Sequence, residues 1–196
     1  MSEVITESRT EIIRFDWAIK TVLRHKKNFN ILEGFLSELL RDDIVILELL
    51  ESESNSEHKH GKINRVDLLV KTKDDSRIII EVQAERQADF LSRALFGVSK
   101  VITDNLDRGD KYSQVSKVIS VNVLFFDLGV GTDYIYVGNT EFKGLHDNSQ
   151  LKLSSKEKKV YDPRHTKSPS DIFPTYYIIK INQFNQRIKT GFDEWL

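Results

Sequence analysis

A chain of 196 residues with 39% apolar and 30% charged residues, three prolines and nine glycines reads as one soluble globular domain spanning residues 1–196, too short for two full-sized ones. Its formal net charge of −1 gives no general attraction for phosphates, so a nucleic-acid surface requires its 29 Lys and Arg to gather on one face. The lack of cysteine excludes disulfide scaffolds, thiolate zinc sites and thiol nucleophiles, and the absence of any apolar run near the roughly 20 residues of a membrane span, or of a signal-like start, predicts a cytoplasmic protein.

In chain order, the first ten residues are polar and expected to fray. From Glu11 to Lys27, Ile12, Phe15, Ile19, Val22 and Leu23 recur at helical spacing, and a second helix is predicted over 29–40 from Ile31, Leu32, Phe35, Leu36, Leu39 and Leu40. "IVILELLES" at 44–52 reads as a strand, and the polar stretch that follows, with His58 and His60, as a loop. Residues 65–72 and 77–84 form two apolar runs around "KDDS", a hairpin. A helix is predicted over 89–106, then strands in "VISVNVLFFDL", "DYIYVGNTEF" and "TYYIIKINQF", with the lysine-rich "LKLSSKEKKVYDPRH" as a solvated loop. The order of elements implies a mixed α/β sheet flanked by helices.

The hairpin raises a chemical question, because each apolar run carries an acid, Asp67 in the first and Glu81 in the second. If the turn is centred near Asp74, Leu69 faces Ile79, Lys71 faces Arg77 and Asp67 faces Glu81, all on one side of the ribbon. Opposed residues have Cβ atoms about 4.5–5.5 Å apart, where like charges destabilise. The repulsion is relieved by a shared proton, a neighbouring cation or a bound metal. Gln83, two positions past Glu81, lies on the same side and adds an uncharged amide. Such oxygen donors suit Mg²⁺ or Mn²⁺ rather than zinc. The competing reading is a solvated acid on each strand, and a one-residue shift of the turn would send the two carboxylates to opposite faces. Asp16 and Lys20 share a face of the first helix, a spacing equally typical of a surface pair.

An acid on one strand, Glu-Val-Gln on its antiparallel neighbour and an acid-bearing helix before them resemble the PD-(D/E)XK nuclease superfamily. More narrowly the chain resembles the bacterial recombination-promoting nuclease and transposase family, through "FDWAIKTVL", "FLSELL", "RVDLLVKTKDDSRIIIEVQ", "FLSRALFGVSKVITDNLDRGDKYSQVSKVISVNVLFFDL" and "PTYYIIKINQFN". The resemblance implies a restriction-endonuclease-like fold and Mg²⁺- or Mn²⁺-dependent hydrolysis of DNA phosphodiesters in recombination or transposition. Carried over position by position, Asp67 and Glu81 hold the metal, Gln83 takes the place of the family lysine and Asp16 is the helix acid near the site. Two departures are Val66 in place of proline, chemically harmless, and Gln83, which removes a positive charge for which Lys71 or Lys20 is a candidate substitute.

Arg93, Lys100, Arg108, Lys111 and Lys117, on and after the helix that follows the second acid, are candidate DNA phosphate contacts. Their alternative is a charged, solvated helix face. Tyr112 and Gln114 read as packing and turn residues, and Asp127, beside Gly129 and Gly131, as a strand-end turn residue rather than a catalytic acid. The histidines carry no role. A homodimer is expected for cutting both strands, and a recombinase partner is a further expectation. The resembling family continues past "FDEWL" into a helical portion, which this reading takes to be missing here. The other function class is a degenerate nuclease-fold module that binds DNA or acts as a scaffold, marked by a carboxylate locked in an ion pair with Arg65 or Arg77.

Overall fold

Apolar side chains at every third or fourth position give a helix with one buried stripe, and α1 (Phe29–Leu40) forms over the predicted range with Leu32, Leu36 and Leu39 buried. A computed structural model of the chain describes residues 25–50, 67–161, 168–184 and 190–195. The helix expected over 11–27 falls mostly outside the described residues, and Lys26–Asn28 form a 3-10 turn leading into α1. Helix α1 stops at Arg41, whose left-handed φ of 55° lets its N–H donate to Ser37 O.

Strand β1 (Ile46–Leu50) occupies the middle of its expected run. The hairpin is β2 (Leu68–Thr72) and β3 (Arg77–Gln83), with Leu69 opposite Ile79 and Lys71 opposite Arg77, the register expected from the pattern. Its turn is built by Asp74, which accepts from the Thr72 hydroxyl and from Ser76 Oγ at 2.8 Å, and by Asp75 at a φ of 65°.

Helix α2 (Phe90–Asp104), β4 (Val118–Leu124) and β5 (Ile135–Gly138) follow. The lysine-rich stretch expected as loop contains one helical turn, α3 (Ser155–Lys158), because Ser154 and Glu157 exchange side-chain-to-backbone hydrogen bonds as a capping box. Strand β6 (Thr175–Lys180) is the last strand among the described residues. Tyr112, expected to pack, is 87% exposed in a 3-10 turn before β4.

These strands form one six-stranded sheet in the order β1-β2-β3-β4-β6-β5. Strands β3, β4 and β6 run parallel, and the other pairs are antiparallel. The result is the mixed sheet flanked by helices that a restriction-endonuclease-like fold requires. One sheet face, with Leu68, Val70, Ile78, Ile80, Val121 and Ile179, packs under Leu32, Leu36 and Leu39 of α1 together with Phe192. The rings of Phe35 and Phe192 pack at a tilt of 52° with centroids 5.2 Å apart. A Cβ at Gly34 would come within 2.8 Å of the Trp195 ring, so α1 needs glycine there for the C-terminal segment to dock.

On the other face, Leu69, Ile79 and Val118 pack against Val98 and Val101 of α2, and Phe90 at the start of α2 meets Leu124 and Phe126. Fully burying one such side chain is worth about 1.5–3 kcal/mol, so these contacts hold α2 across the face that also carries Glu81. Among the described residues no helix is long and apolar enough to cross a membrane.

Candidate active site

The hairpin ladder ends at the pair Leu68 and Ile80, and one further step along the same register sets Asp67 across from Glu81, on the α2 side of the sheet. Asp67 stands immediately before β2. Val82 N–H donates to Asp67 Oδ2 at 2.8 Å, so a carboxylate takes the backbone donor that a strand carbonyl would otherwise take. This contact fixes the Asp67 side chain against the strand that bears Glu81.

Glu81 is only 7% exposed. A buried carboxylate demands compensation, and part of it comes from α2: Arg93 Nη2 lies 3.8 Å from Glu81 Oε2. That separation is an ion-pair contact longer than a hydrogen bond. Arg93 is itself steered by Gln87, whose Oε1 accepts from Arg93 Nη1 at 3.1 Å. Arg77, the partner expected of a degenerate site, instead lies by Asp75 and Ser116 at the hairpin turn. Arg65 lies outside the described residues, as do Asp16, Lys20, His58 and His60.

Gln83 follows on the same face, half-buried, with its Nε2 donating to Glu85 O at 3.1 Å. Lys71 cannot replace the missing lysine charge. It pairs with Asp75 Oδ1 at 3.2 Å at the turn end of the hairpin, four strand residues or roughly 13 Å from Asp67.

A residue passed over in the sequence completes the row. Asn122 of β4 is the register partner of Glu81, points to the same face and is fully buried at 0% exposure. Its Nδ2 lies 3.0 Å from Ser120 Oγ, 3.0 Å from Tyr177 O and 3.3 Å from Ser120 O. Its Oδ1 has no hydrogen-bond partner. The signal that could have found it is a polar residue in the centre of "VISVNVLFF", where burial is otherwise apolar.

The expected phosphate contacts do not all gather here. Arg93 is at the site, whereas Lys100 is one to two turns further along α2 and pairs with Asp104 at 2.6 Å. Arg108 and Lys111 are exposed in the turn after α2, beyond a helix that runs roughly 16 Å from Arg93 to Asp104. Lys117 is drawn into the fold at the start of β4, donating to Ser170 O at 2.7 Å and to Phe173 O. Burial pushes its amine down to about 8, against the opposing pull of Asp171. Asp127 is an exposed strand-end residue, as expected; its Oδ1 accepts from Gln183 Nε2 at 3.1 Å, and Gly129 beyond it has a φ of 66°.

Among the described residues no cluster of three or more His and acidic side chains forms a ready metal cage. The donor set at Asp67 and Glu81 still fits a hard divalent ion. Asp67 and Glu81 face each other across the hairpin register, Asn122 with its orphaned amide oxygen is the register partner of Glu81 on β4, and the chain has no cysteine, so the donors are the oxygen chemistry of Mg²⁺ or Mn²⁺ rather than zinc.

The model of a PD-(D/E)XK nuclease family transposase matches residues 13–162 of this chain. That span includes Asp67, Glu81, Gln83, Arg93 and Asn122. No curated protein matches the chain, and no solved structure does.

Proposed function

The chain belongs to the PD-(D/E)XK nuclease family of transposases, and from that premise we propose that it is a divalent-metal-dependent endonuclease hydrolysing DNA phosphodiesters during recombination or transposition, in the cytoplasm. The observation that carries this reading is the Asp67 carboxylate held by Val82 N–H at 2.8 Å on the strand that presents Glu81. Asp67 and Glu81 would hold Mg²⁺ or Mn²⁺. Held there, such an ion would neutralise charge at the scissile phosphate and lower the pKa of a water so that it could attack as hydroxide.

The protein's own groups have separate tasks. Val82 N–H keeps Asp67 oriented without neutralising it. Arg93, 3.8 Å from Glu81, sets a positive charge beside that buried carboxylate and near the phosphate path. Gln83 places an uncharged amide beside them, able to orient a water by hydrogen bonds. Asp16 keeps its proposed role as the helix acid near the site, and Lys100, Arg108 and Lys111 their proposed role as phosphate contacts along the duplex. A homodimer would supply the second cut, and a recombinase partner the setting.

A second reading, a DNA-binding module that no longer cuts, is favoured by one observation: a guanidinium already stands beside Glu81. Plasmid nicking decides between them. The enzyme reading expects Mg²⁺-dependent nicking that is lost with chelator and in Asp67→Asn; nicking equal in wild type and Asp67→Asn removes it, and DNA binding without any cutting in Mg²⁺ or Mn²⁺ selects the module.

A further inference from the structure

Asn122 presents a buried acceptor that the fold leaves unused. Its Nδ2 is committed to Ser120 Oγ and Tyr177 O, both at 3.0 Å, with Ser120 O at 3.3 Å. Its Oδ1 has no hydrogen-bond partner although the residue is 0% exposed. A flipped amide does not resolve this, because two backbone carbonyls on the Nδ2 side can be met only by N–H donors. Buried polar atoms are almost always satisfied, so the orphan oxygen calls for a ligand.

The register identifies that ligand's position. Asn122 pairs with Glu81 across parallel strands, which lie about 4.8 Å apart with paired side chains on the same face. Nδ2 reaches toward β6 and back along β4, so the other end of the amide, Oδ1, is turned away from β6.

We propose that Asn122 Oδ1 is the third protein oxygen of the divalent-cation site, a neutral ligand supplied by β4 to an ion held by Asp67 and Glu81. The inference rests on the reading of those two carboxylates as cation ligands. The chemistry favours an amide here. A third carboxylate would add repulsion to an already crowded pair, whereas an amide carbonyl is a hard oxygen donor with no charge. Its Nδ2 hydrogen bonds hold that oxygen in place before the ion arrives, as outer-sphere partners do for metal ligands.

The test uses the full chain, ¹⁵N-labelled, titrated with Mg²⁺ and followed by calorimetry and by the side-chain amide resonances. The Asn122 Nδ2 resonance is expected to shift with the midpoint of calorimetric binding and to stay still in Asp67→Asn. Asn122→Ala, which removes the oxygen, is expected to bind Mg²⁺ about tenfold or more weakly, and an affinity equal to wild type overturns the assignment. If that variant does not fold, the wild-type spectrum decides alone. Mg²⁺ binding that requires Asp67 but leaves the Asn122 resonance unmoved overturns the role of Asn122 and leaves Asp67 and Glu81 standing. Absence of Mg²⁺ binding by wild type overturns both.

Discussion

Val82 N–H donates to Asp67 Oδ2 at 2.8 Å, joining the carboxylate at the start of one strand to the backbone of the strand that carries Glu81. The hairpin therefore does more than place two acids on one side. It sets the orientation of Asp67 with a backbone donor one residue from Glu81, so the pair is organised by the sheet itself.

Because asparagine retains an acceptor for Val82 N–H, Asp67→Asn removes charge while sparing the fold. Nicking activity is expected to fall at least about a hundredfold and divalent-ion affinity at least about tenfold, with the thermal midpoint nearly unchanged. Calorimetry and circular dichroism on the same preparation check both halves.

Arg93→Met takes away the guanidinium 3.8 Å from a carboxylate that is mostly buried. Since Arg93 is itself partly exposed and the contact is long, the cost is set below that of a fully buried pair, at about 1–2 kcal/mol. Saturating Mg²⁺ is expected to reduce the deficit by half or more, because a bound cation compensates Glu81 in place of the guanidinium. Urea unfolding with and without Mg²⁺ measures this, and an equal deficit in both conditions would mean that no cation reaches Glu81.

Burial of Asp74 would raise its pKa, yet hydrogen bonds from Thr72 and Ser76 and nearby backbone amides outweigh it and hold the carboxyl below its ordinary 3.8. A depressed folded-state value stabilises the protein above the unfolded pKa and is lost as pH falls through the folded one. Asp74→Asn is expected to cost about 1 kcal/mol at about pH 6, and the gap from wild type narrows once pH drops below 3.8. Urea midpoints across the acid range test it.

Lys117 gives the opposite pH signature. Its folded value of about 8 lies below the ordinary 10.5, so between them the unfolded chain binds the proton more tightly and the contribution of Lys117 to stability rises with pH. In Lys117→Met this rise is expected to flatten. Tyr134, pushed up to about 12 by burial and by its hydrogen bond to Asp193, stabilises the fold below pH 10 and loses that contribution from 10 to about 12, so unfolding should be compared below pH 10.

Much of the candidate site was legible because its geometry is local. Period-two alternation and a turn at "KDDS" suffice to set Leu69 against Ile79, and from there the facing of Asp67 and Glu81 follows. The amphipathic spacing of Leu32, Leu36 and Leu39 likewise gave α1 its limits. Lys71 misled because its face was right and its distance along the strand was not; at the turn, Asp75 is the nearer charge. Arg93 was legible as a cation on α2, but its approach to Glu81 depends on how that helix lies on the sheet.

Sequence by itself therefore determined α1, α2, the strands and the hairpin register, since each depends on residues within one segment and on side-chain periodicity, whereas the helical turn of α3 rests on a capping box inside a stretch that reads as loop. Tertiary structure decided the strand order in which β6 enters between β4 and β5, and the placing of Asn122 beside Glu81. Parallel neighbours come from chain segments joined by a long crossover, and no local pattern specifies which residue meets which, so the orphaned amide oxygen emerges only when the sheet is assembled.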